Sequence, residues 1–86
     1  MEFDLSTRKE VLAVLDEVLS LRGRTATFDS STPLLGAVPE LDSMAVVGVI
    51  TMLEERFGFV VDDDEIDGGT FETVGTLVAF VDRKLQ

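Results

Sequence analysis

Residues 43–57 constrain this chain more than any other stretch. Val46, Val49, Ile50, Leu53 and Phe57 fall at i, i+3, i+4, i+7 and i+11, one continuous apolar stripe at helical spacing. Met44, Val47, Gly48, Thr51 and Glu55 repeat that spacing on the opposite face, so the first half of the helix carries no charge on any side. A helix apolar all round is normally buried all round. An 86-residue chain has too small a core for that, so part of the second face is expected to stay exposed for a partner.

The rest of the pattern is also helical. Val11, Leu12, Leu15, Val18 and Leu19 mark a first helix, with Asp16, Glu17 and Ser20 on its other faces. Thr7 and Glu10 have capping-box spacing. Arg8 and Lys9 would oppose the dipole of a first turn there, which moves the expected start towards Phe3. Gly23 is the expected stop. A long connection follows over residues 23–41, broken by Asp29-Ser30-Ser31-Thr32-Pro33, Gly36 and Pro39. Connections of that length are pinned or functional. Phe28, Leu34, Leu35, Val38 and Leu41 are the expected pins, with room for one helical turn at Leu34-Leu35.

Gly58 is expected to end the helix over 43–57. Phe59-Val60-Val61 reads as a short extended piece, and Asp62-Asp63-Asp64-Glu65 suits the first turn of a short third helix. Gly68-Gly69 breaks the chain. A last helix begins near residues 70–73, where Thr70 or Thr73 can cap it. Its stripe is Val74, Leu77, Val78, Val81 and Leu85, with Arg83 and Lys84 at the favourable end and Gly75 weakening the first turn. The expected fold is all-α: a small four-helix bundle, three main helices plus one short one, with a long loop between helices 1 and 2, in a single domain over residues 1–86.

Composition narrows the function. The chain contains no Cys, His, Trp or Tyr, so no disulfide framework supports it. The first thirty residues lack a signal-peptide pattern and no stretch is long enough to span a bilayer, so a cytoplasmic protein without membrane insertion is expected. The net charge is −10, and it is unevenly spread. Residues 40–72 hold ten acids against the single base Arg56. Such a field repels nucleic acid and draws basic partner surfaces.

Ser43, at the mouth of the apolar helix, is the candidate reactive group. It cannot be a self-sufficient nucleophile, because the chain has no His and its two lysines, Lys9 and Lys84, are remote in sequence. It can accept a group delivered by another protein, since a helix N-terminus offers unpaired N–H groups to a phosphodiester. The plainer reading of a serine there is an N-cap.

Asp42-Ser43-Met44 followed by Leu53-Glu54-Glu55-Arg56-Phe57-Gly58 resembles the core of the acyl carrier protein family. Phe71-Glu72-Thr73-Val74 with Leu77 and Val81 resembles that family's last helix, and residues 28–36 resemble its first loop. The resemblance implies a 4′-phosphopantetheine group carried on Ser43, added from coenzyme A by a phosphopantetheinyl transferase, whose thiol holds acyl groups as thioesters. It implies a monomeric carrier rather than an enzyme, with no metal. Partners would be the transferase and acyl-ligase, synthase or transferase enzymes with basic docking surfaces, in fatty-acid, lipid or specialised acyl or polyketide biosynthesis. Asp42 and Met44 would flank the attachment site. Val47, Gly48, Thr51, Glu54 and Glu55 would face partners. Val46, Val49, Ile50, Leu53, Val74, Val78 and Ala79 would line an interior that shelters the cargo or simply form the core.

The chain departs from the family pattern in two places. Many members place a glycine three residues before the serine, whereas Gly36 stands seven before. Many fatty-acid carriers have acids where this helix has Ala45 and Gly48. Both departures point to a dedicated pathway. An aminoacyl or peptidyl carrier fits the same residues, and an unmodified acidic adaptor is the alternative of another class. An EF-hand read from Asp63 fails at its twelfth position, Val74, where a bidentate Glu is required; loose divalent-cation binding by the acidic cluster stays open.

Overall fold

The computed structural model describes the backbone of residues 2–85, and the side chains of that stretch except those of residues 2–6 and Asp63. Three α-helices form the bundle: α1 (Glu2–Leu19), α2 (Ser43–Phe57) and α3 (Val74–Leu85). Two short 3-10 turns, Arg24–Thr27 and Asp63–Glu65, lie in the connections. The short third helix is therefore a single turn, and a second turn that the residue pattern did not announce opens the first crossover.

α1 begins at Glu2, so Thr7 is no cap. It lies one turn before Val11 on the same stripe and is itself buried. The helix ends at Leu19 rather than near Gly23. Ser20 takes the left-handed conformation (φ 55°), and the Leu21 N–H reaches back to the Asp16 carbonyl at 3.0 Å, a Schellman-type closure. Burial of Leu21 accounts for the early stop: the turn carries that side chain into the core. The Asp16 carboxylate then gathers the returning chain, accepting the Gly23 N–H at 3.1 and 3.2 Å.

Val11, Val14 and Leu15 of α1, Val49 and Leu53 of α2, and Val74, Leu77 and Val81 of α3 are fully enclosed. Phe71, Phe80 and Leu21 complete this core, together with Leu34, Val38 and Leu41 from the long crossover. Leu35, an expected pin, is instead half exposed. The single turn at Leu34-Leu35 is present: the Val38 N–H donates to the Leu34 carbonyl at 2.9 Å.

The crossover is stapled to the start of α3. Leu34 and Leu35 N–H groups donate to the Glu72 and Phe71 carbonyls, both at 3.0 Å. In return, the Val74 and Gly75 N–H groups donate to the Thr32 and Ser30 carbonyls at 3.0 and 2.8 Å. Two of the orphan donors of a helix N-terminus thus find partners in a loop more than forty residues earlier. Thr73 caps the same helix: its Oγ1 accepts the Thr76 N–H, while the Thr76 hydroxyl accepts the Thr73 N–H. Asp29 holds the loop side together. The Ser31 hydroxyl and N–H and the Thr32 hydroxyl all donate to its carboxylate, keeping its pKa below the usual range.

Surface ion pairs join the remaining elements. Arg56 of α2 reaches Glu10 and Glu17 of α1, Arg24 pairs with Glu40, and Lys84 of α3 holds Glu65 of the second turn. The Asp62 N–H and Lys84 together keep the Glu65 carboxyl below its ordinary pKa. Exposed pairs of this kind add little stability each.

Gly75 is not merely a weak helix residue. A Cβ there would lie 2.8 Å from the Ser30 carbonyl oxygen, which is backbone and cannot swing away. Gly75→Ala should therefore lower unfolding stability by about 1–3 kcal/mol in urea denaturation. Gly68→Ala, which meets nothing within 4 Å, should change it by less than about 0.5 kcal/mol.

Candidate functional site

α2 opens with two adjacent residues that do different work. Asp42 is the N-cap: its backbone is extended (φ −105°, ψ −175°), and its carboxylate accepts the Ala45 N–H at 2.8 Å. The Val46 N–H donates to its carbonyl at 2.9 Å, the first bond of the helix. Ser43 is thus the first helical residue and not the cap. Its side chain is exposed and makes no hydrogen bond among the described residues. The Ser43 and Met44 N–H groups likewise find no acceptor there, so both face outward at the positive end of the helix.

The approach to Ser43 is rigidly held. Val38 and Leu41 are buried, the Leu41 N–H donates to the Val38 carbonyl, and Glu40 pairs with Arg24 at 2.6 Å. Pro39 sits between these anchors. The longer path from Gly36 to the serine is therefore no looser for its length.

Behind Ser43 the outer face of α2 is apolar and open. Met44 is 78% and Val47 61% exposed. Thr51 and Glu55 are exposed on the same side. Two expected members of this face look elsewhere. A Cβ on Gly48 would come within 3.3 Å of Val18 Cγ1, so that position leans on α1. Glu54 is half-buried, and its Oε2 accepts the Val61 N–H at 2.8 Å.

A groove of about 280 Å³ runs along the flank of α2. Val46, Val47, Ile50, Thr51 and Glu54 line one side; Val61, Asp62 and Ile66 line the other. Positions 46, 47, 50 and 54 lie three, four, seven and eleven residues after Ser43, so groove and hydroxyl share a helix face. Of the residues expected to line an interior, Val46 and Ile50 reach this groove. Val49, Leu53 and Val74 are fully enclosed core, and Ala79 is exposed. Val61 and Ile66, which complete the groove, were missed because their segment has no helical period to announce an inward side.

Among the described residues no group of three or more His, Cys, Asp or Glu side chains is placed to hold an ion. The side chain of Asp63, first position of the failed EF-hand reading, lies outside the described residues.

Residues 9–81 match the family described as a phosphopantetheine attachment site. The chain is also similar to the solution NMR structure of a holo acyl carrier protein from Nitrosomonas europaea, at 56% identity over 91% of this chain and 94% of that one, with a TM-score of 0.85. No curated protein matches it.

Replacing the cap and replacing its neighbour should have separable effects. Asp42→Ala should cost about 1 kcal/mol in urea or thermal unfolding, and Asp42→Asn much less. Ser43→Ala should change stability by less than about 0.5 kcal/mol, because no hydrogen bond depends on its hydroxyl.

Proposed function

Because this chain belongs to the phosphopantetheine-attachment-site family of acyl carrier proteins, we propose that Ser43 is the residue that bears the arm. The protein is a carrier of acyl groups on a covalent 4′-phosphopantetheine, and not itself an enzyme. The observation that carries the assignment to Ser43 is the division of labour at the start of α2. Asp42 takes the cap, which leaves the Ser43 hydroxyl exposed and uncommitted.

The residues present suit the group. A phosphodiester on Ser43 Oγ would sit at the helix N-terminus, beside the unpaired N–H groups of Ser43 and Met44. When bound, the arm supplies the thiol that the chain lacks, and that thiol holds the cargo as a thioester. The chain's own part is to hold the serine still through Pro39, Glu40 and Leu41 and to offer a covered apolar surface. The groove on the Ser43 face of α2, walled by Val46, Ile50, Val61 and Ile66, fits an aliphatic chain. Its apolar walls favour acyl over aminoacyl cargo.

Acyl carriers of this family work with a phosphopantetheinyl transferase and with acyl-handling enzymes. We assign their docking to Asp42, Met44, Val47, Thr51 and Glu55, with basic partner surfaces drawn by the acids around them. No helix among the described residues is long and apolar enough to cross a membrane, and work in the cytoplasm for a dedicated acyl pathway fits this reading.

Incubation with coenzyme A, Mg²⁺ and a broad-specificity phosphopantetheinyl transferase, followed by intact-mass measurement, tests the attachment. The native chain should gain one phosphopantetheine and Ser43→Ala none; a gain that survives the substitution would move the site elsewhere. The exposed Met44 and Val47 make the grip on α2 largely apolar. Each Ala substitution there should weaken transferase binding about fivefold or more, and raising NaCl from about 50 to about 300 mM should weaken it less. The reverse order in a titration series would make the acids the main grip.

A further inference from the structure

We infer that Glu54 is a positioning residue that latches the segment after α2 against the groove and so sets how far the cargo is covered. The far wall of the groove, Val61 and Asp62, belongs to residues 59–62, which form no helix and pair with no strand. Among the described residues, one hydrogen bond ties those four residues to α2: the Val61 N–H to Glu54 Oε2, at 2.8 Å. The adjoining Val60 is 74% exposed, so packing on that side adds little restraint. Val61 itself is half-buried against the core. The segment is otherwise held at its ends, by the Phe59 ring stacked on Phe57 of α2 and by the Asp62 N–H donating to Glu65, so Glu54 is the polar tie to α2 midway along the wall.

Glu54 also differs from the ion-paired glutamates of the surface. Glu10, Glu17, Glu40 and Glu65 each meet an arginine or lysine. Among the described residues Glu54 meets no cation, and its partner is a neutral backbone N–H. A carboxylate makes that bond stronger than a neutral acceptor would. It stands eleven residues after Ser43 on the same face, about 16 Å along the helix axis, so it closes the end of the groove remote from the attachment point. A helix position that could have served partners outward has been turned inward to hold a loop. The inference rests on the preceding reading, in which a chain tethered at Ser43 lies in this groove.

Two measurements test it. In the unmodified full chain, amide hydrogen exchange at Val61 reads the latch directly. Glu54→Ala should speed it about tenfold or more, while Glu54→Gln, which keeps an acceptor oxygen, should stay within about threefold of the native rate. The Ile50 amide, inside α2, should be unaffected and reports that the fold is intact. In chains loaded at Ser43 with a decanoyl or an acetyl phosphopantetheine arm, hydroxylamine cleavage of the thioester reads the cover. Glu54→Ala should accelerate decanoyl cleavage about fivefold and leave acetyl cleavage unchanged, since a two-carbon cargo is too short to be covered. An unchanged Val61 amide overturns the latch. Faster Val61 exchange with unchanged decanoyl cleavage overturns its control of the groove. Failure to gain the arm's mass at Ser43 overturns the attachment assignment, and the inference with it, and is told apart by the mass itself.

Discussion

The backbone staple between the long crossover and the start of α3 is the constraint on which the rest of the structure depends. Beyond two short turns the crossover has no regular secondary structure to satisfy its own polar groups, and a buried unpaired N–H or carbonyl is expensive. It meets the problem by exchanging hydrogen bonds with residues 71–75, which have the complementary shortage at a helix N-terminus. That exchange demands an approach so close that only a glycine fits at position 75. Once made, it carries Leu34, Val38 and Leu41 into the core. Leu41 lies two residues before Ser43, so the residue proposed to bear the arm is positioned through a contact at the other end of the chain.

Charge is organised by the same economy. Four of the acids are bound to Arg24, Arg56 and Lys84, and these pairs span elements: loop to loop, α2 to α1, the second 3-10 turn to α3. Asp42, Glu54 and Glu55 have no such cation among the described residues. Asp42 serves a helix cap and Glu54 a loop N–H.

How much of this was legible in the sequence varies with the range of the interaction concerned. The bounds of α2 were readable to the residue. The apolar stripe and the glycine after it are local signals, and Gly58 does take the left-handed conformation at φ 79°, although the cap read at Ser43 belongs to Asp42. Ser43 stood out among the hydroxyls because it opens the apolar helix between Asp42 and Met44. What local pattern could not reveal was set by distant partners. Gly75 looked like a weak helix residue because Ser30, which forbids a side chain there, is far away in sequence. Thr7 looked like a cap because burial on the α1 stripe is a tertiary fact. Phe71 and Phe80 were overlooked as core, although Phe80 follows Leu77 at helical spacing and could have been read. Leu35, read as a pin because it is apolar, and Ala79, placed inside by the family resemblance, both sit outward, since an apolar residue in a loop or on a wide stripe carries no direction of its own.

α2 is apolar on more sides than a three-helix bundle can cover, and the structure resolves the excess by giving each side a different neighbour. Val49 and Leu53 take the core. Val46 and Ile50 form a groove that a short unpaired segment covers only in part. Met44 and Val47 are left to solvent. A core helix would have buried all three sides, and a surface helix would have made the outer two polar. Keeping them apolar costs solubility, which the surrounding acids offset. The arrangement suits the carrier role proposed for Ser43, in which the flank would be covered by a cargo tethered one turn away and the outer face by whichever enzyme handles it.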